Sequence, residues 1–190
     1  MEKKYEFTGE TKELVSGDRT VTLSRIRAVK DFGNIKTGDL GGFIEKEENL
    51  SQSDNCWVKE NAVVYGDAKV RGDARVNGNV KVYEKADIAG AAVVFDSAEI
   101  FGNAKIYGCS AVYGNARIGG DARVYSCAEV YDKAVVEGKT EIYGSAKVYG
   151  KATVTGNARV YGNAKVHGKA QIKGDADVHR NEVGAERDDR

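Results

Sequence analysis

Proline is missing from all 190 residues, histidine occurs twice, cysteine three times, and tryptophan and methionine once each. Each shortage removes an option. Without proline every residue keeps its amide donor, so a backbone that hydrogen-bonds almost everywhere is expected. An odd number of cysteines, not at metal-ligand spacing, excludes a disulfide framework and agrees with a reducing compartment. Two histidines cannot supply a three-histidine zinc site within one chain. Net charge is lacking too: twenty-nine Lys and Arg balance twenty-nine Asp and Glu, so no overall field draws the chain to nucleic acid or an anionic membrane. No apolar run is long enough to span a bilayer, and residues 1–7 are too polar for a signal peptide, which makes a cytoplasmic address the expectation.

What remains is a rhythm. From Val58 to Val178 every sixth residue is Val or Ile, twenty-one in all; four places on, seventeen are followed by Ala, and two places on, fifteen by Gly. A helix turns every ~3.6 residues and cannot keep such a row on one face, and a glycine in each hexad would cost it about 1 kcal/mol. Short strands can keep it. In a hexad such as Ala-x-Val-x-Gly-Asn, Ala and Val lie two apart and point to one side, while the neighbours of Val point to the other. Gly followed by Asn or Asp supplies a corner at positive φ. Three strands and three corners close a triangular coil, each about 4.8 Å above the last. Twenty-one hexads therefore predict seven coils, with Val and Ile filling the lumen and Ala near the corners. The expected fold is all-β: a parallel β-helix over residues 58–183, a β cap at 1–57 covering its open end, and a polar tail at 184–190. Cys56 falls in an Ala slot and reads as buried. Glu182 falls in another, where a charge should end the stack.

This pattern resembles the hexapeptide-repeat, left-handed parallel β-helix family, in which an aliphatic residue is followed four places on by a small one. More narrowly, GDLGGFIEKEENLS (residues 38–51) and NCWV (residues 55–58), followed by hexads such as YGDAKV and YGNAKV, look like the YdcK-like proteins of bacteria and prophages. The resemblance implies a left-handed coil and an assembly of three chains. Many family members are acyltransferases that use acyl-CoA or acyl carrier protein, with a histidine base in the groove between subunits. Only His167 and His179 are available for that role here. Such enzymes also interrupt the coil with a loop that builds the acceptor site, and this register contains no insertion.

Function falls to the outward residues, which the repeat sorts into three sides. Just after each inward residue, the first side carries Lys59, Asn77, Phe95, Tyr113, Tyr131, Tyr149 and His167. The second carries Arg71, Ala89, Tyr107, Tyr125, Tyr143, Tyr161 and His179, and the third begins with Tyr65, Tyr83 and Phe101. Stacked identical side chains stabilise parallel strands by self-contact, so the ladders have a purely structural explanation. They also suit association. Val93 and Ala111 beside Phe95 and Tyr113 make the first side apolar, fit to pack another copy of the chain or another protein. Along the second side Lys105, Arg123, Glu141 and Arg159 accompany the rings. Aromatic rings with guanidiniums stack bases or sugars, while Glu141 and the zero net charge count against nucleic acid.

The sequence thus favours a rigid, non-catalytic scaffold or binding protein, self-associated through an aromatic side, with no cofactor and no metal. The alternative is an acyl-CoA-dependent acyltransferase using His167 or His179, each of which stands where its ladder elsewhere has Tyr. A third reading is a small-ligand trap built between subunits. Cys109 and Cys127 are spaced to stack at one corner within the Cα range of a disulfide, but read as small corner residues. KTGDLGG (residues 36–42) lacks the G-K-[ST] ending of a phosphate-binding loop and reads as a cap turn. The GN and GD corners lack the rhythm and carboxylate density of calcium-binding repeats.

Overall fold

A hexad leaves room for two residues of strand and four of corner. In a computed structural model, described for residues 3–185, pairs such as Lys69–Val70, Arg75–Val76 and Lys81–Val82 form successive short strands. Each pairs in parallel with the strand one coil on: Val94 lies beside Val112, and Val112 beside Val130. Three sheets result. The first side is an eight-stranded sheet from Trp57–Val58 to Glu182–Ala185, and the second a seven-stranded sheet from Lys69–Val70 to Asp177–His179. The third is ten-stranded and ends at Gln171–Ile172. All twenty-one Val and Ile of the hexad row are buried, and with the Ala residues they form one continuous core.

The hydrogen bonds explain the missing proline. Along one hexad Ala111 N–H donates to Ala128 O at 3.0 Å, Tyr113 N–H to Val130 O at 3.0 Å, and Asn115 N–H to Asp132 O at 2.6 Å. Alternate amides, at the corner as well as in the strand, are committed to the next coil. A proline at any of them would break a rung.

Corners are equally uniform. From Val58 to Val178 every residue two places after an inward Val or Ile has positive φ, including Glu60, Glu84, Asp96, Ser126, Asp132 and Arg180. Outside glycine that conformation costs about 1–2 kcal/mol. At some corners the side chain offsets this by capping the next coil: Gly114 N–H donates to Asp96 Oδ2 at 3.1 Å, and Gly102 N–H to Glu84 Oε2 at 2.7 Å.

The stack begins two inward residues before the hexad register does and ends one after it. Three strands open the chain: β1 (Tyr5–Ser16), β2 (Arg19–Ala28) and β3 (Leu40–Ile44). β3 pairs in parallel with Val63–Val64, and Leu50 bridges to Val70. Ile44, Leu50 and Val58 are thus the inward residues of a first coil, and the solenoid has eight coils rather than seven. Ile44 and Leu50 keep the six-residue step, but Leu50 and Val58 are eight apart, and this two-residue insertion hides the coil from a periodic count. Side chains hold the insertion in place: Ser51 Oγ donates to Asp54 Oδ2 at 2.9 Å, and Gly72 N–H to the same oxygen at 3.1 Å.

The cap proper is the β1–β2 hairpin and the loop after it. β2 pairs antiparallel with β3, and β1 with β2, so the hairpin takes up the free edge of the third side. Val21 and Leu23 fold over Phe43, Val63 and Tyr65 as a second small core, while Tyr5, Ile26, Ala28 and Ile35 join the main one. Lys4 is buried among them. Its Nζ donates to Asp54 O at 2.6 Å and Cys56 O at 2.9 Å, and lies 3.3 Å from Cys56 Sγ. Burial holds the Lys4 ammonium below its ordinary pKa and pushes the Cys56 thiol up. Cys56 is buried, as its Ala slot implies.

At the other end the last corner is one residue short. Val166 pairs with Val183 and Lys165 with Glu182, so Val183 takes the inward place and packs on the core. Glu182 therefore points outward, its side chain 61% exposed, and not into the lumen where the unbroken register places it. Gly184 and Ala185, expected in the tail, extend this strand, and the remaining tail residues 186–190 lie outside the described residues. Among the described residues no helix is long and apolar enough to cross a membrane.

Candidate functional site

Strands that repeat at a fixed spacing force each outward ring against its counterpart one coil on. On the first side the centroid separations are 4.7 Å for Phe95–Tyr113, 4.8 Å for Tyr113–Tyr131, 4.9 Å for Tyr131–Tyr149 and 5.1 Å for Tyr149–His167. On the second side Tyr107, Tyr125, Tyr143 and Tyr161 stack at 5.0 Å each, and His179 follows Tyr161 at 4.5 Å. A shorter ladder, Tyr65–Tyr83–Phe101, runs on the third side at 5.2 and 5.5 Å. It ends where the Phe101 ring lies on Gly119, whose absent Cβ would stand 2.4 Å from the ring. All three ladders expected from the spacing are present. Phe95, Tyr113, Tyr131 and Tyr149 are half-buried, as are Val93 and Ala111 beside them.

The charged rows flanking the rings pair between coils. Arg71 meets Asp87 at 2.8 Å, Lys147 meets Glu129 at 2.9 Å, Arg123 meets Glu141 at 3.3 Å, and Arg117 meets Glu99. Solvent screens these exposed pairs, so they add little to stability. Lys105 Nζ has no ion-pair partner among the described residues. Two cavities of about 370 and 380 Å³ lie along the second side, and Lys105 and Arg123 line both.

The two histidines cap different ladders and do not meet. His167 Nε2 lies 3.2 Å from Glu182 Oε1, a contact that exists because the short last corner turns Glu182 outward. An unbroken six-residue register misses this carboxylate; Val183, one place early for an inward residue, was the signal for it. Cys109 and Cys127 occupy successive corners as exposed free thiols. Among the described residues no three His, Cys, Asp or Glu side chains are grouped to hold a metal ion.

Stacking also changes the phenols. Burial, then the Glu129 carboxylate at 3.3 Å, pushes Tyr113 up to about 12. Burial and the hydrogen bond to Glu99 raise Tyr83 further, and burial raises Tyr125, Tyr131 and Tyr143. A phenol whose folded pKa exceeds the unfolded value of about 10 contributes stability that is complete below pH ~10 and lost as pH rises through the folded value. Two results are expected: a part of the phenolate absorbance that develops above the ordinary tyrosine range, and denaturant midpoints that fall as pH rises from ~10 upward. A titration with all tyrosines ionising together near the ordinary value would contradict the stacked, half-buried ladders.

No family model matches the chain. A protein of Escherichia coli (strain K12), named uncharacterized acetyltransferase YdcK, is 39% identical to it over 46 residues. That stretch is 24% of this chain and 14% of the E. coli protein, so the likeness spans a small part of both. The likeness is partial. With the three-sided solenoid, it fits the hexapeptide-repeat β-helix pattern loosely.

Proposed function

We propose that the chain is a rigid, non-catalytic scaffold that self-associates through its first side. The observation that carries this reading is the row Phe95, Tyr113, Tyr131 and Tyr149, nearly parallel rings at 4.7–4.9 Å with Val93 and Ala111 alongside. Rings already held by their neighbours lose little rotamer freedom on docking, and the flanking Val and Ala lose no hydration of charge. The other sides are less suited. On the first side the charges beside Tyr131 and Tyr149, Glu129 and Lys147, are paired with each other; the second side would have to desolvate Lys105, Arg123, Glu141 and Arg159, of which Lys105 has no ion-pair partner among the described residues, and the hairpin already covers the first rungs of the third. By resemblance, a three-chain assembly of bacterial or prophage type at a cytoplasmic address belongs to the same proposal.

Light scattering tests it. The parent chain should have a multiple of the monomer mass, and Phe95→Lys and Tyr113→Lys, which place cations in the contact, should shift it toward monomer at unchanged circular dichroism. A monomeric parent, or variants with the parent's mass, would remove the first side from the proposal.

A second reading, acetyl transfer, is favoured by the contact between His167 and Glu182, the arrangement of a base and a carboxylate that orients it. The name of the E. coli relative points the same way. In this reading His167 takes a proton from an acceptor amine or hydroxyl as that group attacks the thioester of acetyl-CoA. Free-thiol release with a panel of acceptors, lost in His167→Ala and reduced in Glu182→Gln, would favour it over the scaffold; His179→Ala is the comparison for the other ladder.

A further inference from the structure

We propose that the second side carries a binding site for a small planar aromatic anion, seated where the ring ladder lacks a rung. Successive rungs on this side are Arg71, Ala89, Tyr107, Tyr125, Tyr143, Tyr161 and His179, one to a coil. Tyr107 stacks on Tyr125 at 5.0 Å, and among the described residues no ring lies against its other face, because the next position is Ala89. Ala89 is itself buried and forms the floor of the gap. Arg71, one coil before Ala89, leans onto the strand that carries Ala89: its Nε and Nη2 donate to the two carboxylate oxygens of Asp87 at 2.9 and 2.8 Å. The backbones of Arg71 and Tyr107 belong to coils two apart, about 9.6 Å along the stack, and the guanidinium and the phenol both line the space above Ala89. The cavity there measures about 380 Å³, within the range of small-ligand sites.

Charge decides what that ring carries. Asp87 is engaged by Arg71, and Arg123 by Glu141, but Lys105 stands between the Asp87 and Arg123 strands without an ion-pair partner among the described residues. An anionic substituent on the stacked ring would meet Lys105, with Arg123 beside it; a cationic one would face Arg71, Lys105 and Arg123, and the carboxylate that lines the cavity, Asp87, is already held by Arg71. The adjoining cavity, which shares Lys105 and Arg123 and adds Lys139 and Asn103 together with the carboxylates Asp121 and Glu141, gives a longer substituent room to continue. An aromatic carboxylate and a nucleotide phosphate present this same chemistry. The site is on a different side from the association surface and does not depend on it.

Calorimetric titration of the full chain with naphthoate, adenosine monophosphate and the neutral naphthylmethanol tests the site. Three variants accompany it, all outward-facing and expected to keep the parent fold by circular dichroism. Ala89→Tyr supplies the missing rung, Tyr107→Leu removes the stacking face, and Lys105→Gln removes the free charge. At least one anion should bind, Ala89→Tyr and Tyr107→Leu should each weaken it by ~10-fold or more, and Lys105→Gln should weaken the anion without changing naphthylmethanol. Preference for naphthoate or for the nucleotide identifies which source of the anion the site takes. Absence of binding by both anions at millimolar concentration would overturn the proposal. So would parent-like affinity in Ala89→Tyr, or naphthylmethanol binding as tightly as naphthoate.

Discussion

Val112→Asp is expected to abolish the cooperative fold. Val112 is fully buried in the fourth of eight coils, stacked between Val94 and Val130, in a lumen of Val, Ile and Ala whose polar member beside it, Ser110, already donates its hydroxyl to Tyr107 O at 2.9 Å. No donor is free to receive a carboxylate. The nearest backbone groups are already used, Phe95 N–H donating to Val112 O at 3.0 Å and Tyr113 N–H to Val130 O at 3.0 Å. An unpaired carboxylate in such a place either protonates or breaks the ladder, and the loss is on the order of 4 kcal/mol or more. Position along the stack matters as well. A solenoid's stability is a sum over neighbouring coils, so a failed coil at the middle leaves two short stacks, each with a new exposed end. The same substitution at Ile172, which lies in the last coil and is 9% exposed, should cost much less. Urea unfolding of the two variants side by side checks both statements, and equal midpoints would contradict the layered account.

The lumen was legible in the sequence because burial there depends on one geometric fact, the six-residue step, and Val58 through Val178 obey it without exception. The corners were legible for the same reason, down to the positions where Asp96 or Asp132 replaces Gly and keeps its positive φ. Two places broke the step and were misread. Ahead of Val58, the extra residues between Leu50 and Val58 conceal two sides of the first coil, because nothing in their composition shows that Ser51 and Asp54 stitch them into a corner. After Val178, a corner one residue short moved Glu182 from lumen to surface and beside His167. Periodicity reports register only while register is kept, and in this chain both ends depart from it.

For the outward residues the sequence supplied the rows and the structure supplied the gaps. That Tyr107, Tyr125, Tyr143 and Tyr161 stack follows from spacing alone. That Arg71 turns onto Asp87 and leaves the Tyr107 face open depends on side-chain rotamers, which no repeat count contains. The cap lies furthest from periodic reasoning. Its contacts join residues about fifty apart, such as Lys4 to Cys56, through irregular turns.

Trp57→Ala is the second change expected to have a large effect, and it separates cap from coil. Trp57 precedes the inward Val58 and so points outward, yet it is only 3% exposed because the cap folds over it. Its ring meets Phe32 edge-on at 5.4 Å and Tyr5 at 6.3 Å, and presses on Gly41, where a Cβ would stand 2.8 Å from the indole and 2.4 Å from Ile26. The indole Nε1 has no hydrogen-bond partner among the described residues, so the contribution of this side chain is packing. Removing it should cost about 3–5 kcal/mol, whereas Trp57→Phe, which keeps a ring between Phe32 and Tyr5, should cost less than about 1.5 kcal/mol. The loss should be local. With the cap loosened, amides of β1, β2 and β3 should exchange early while those of the central coils keep their protection, since each coil is held by its neighbours and not by the cap. Hydrogen exchange read segment by segment decides the matter. Uniform loss of protection along the chain would mean that cap and coils unfold as one unit; parent-like exchange in the cap would mean that Trp57 does not hold it.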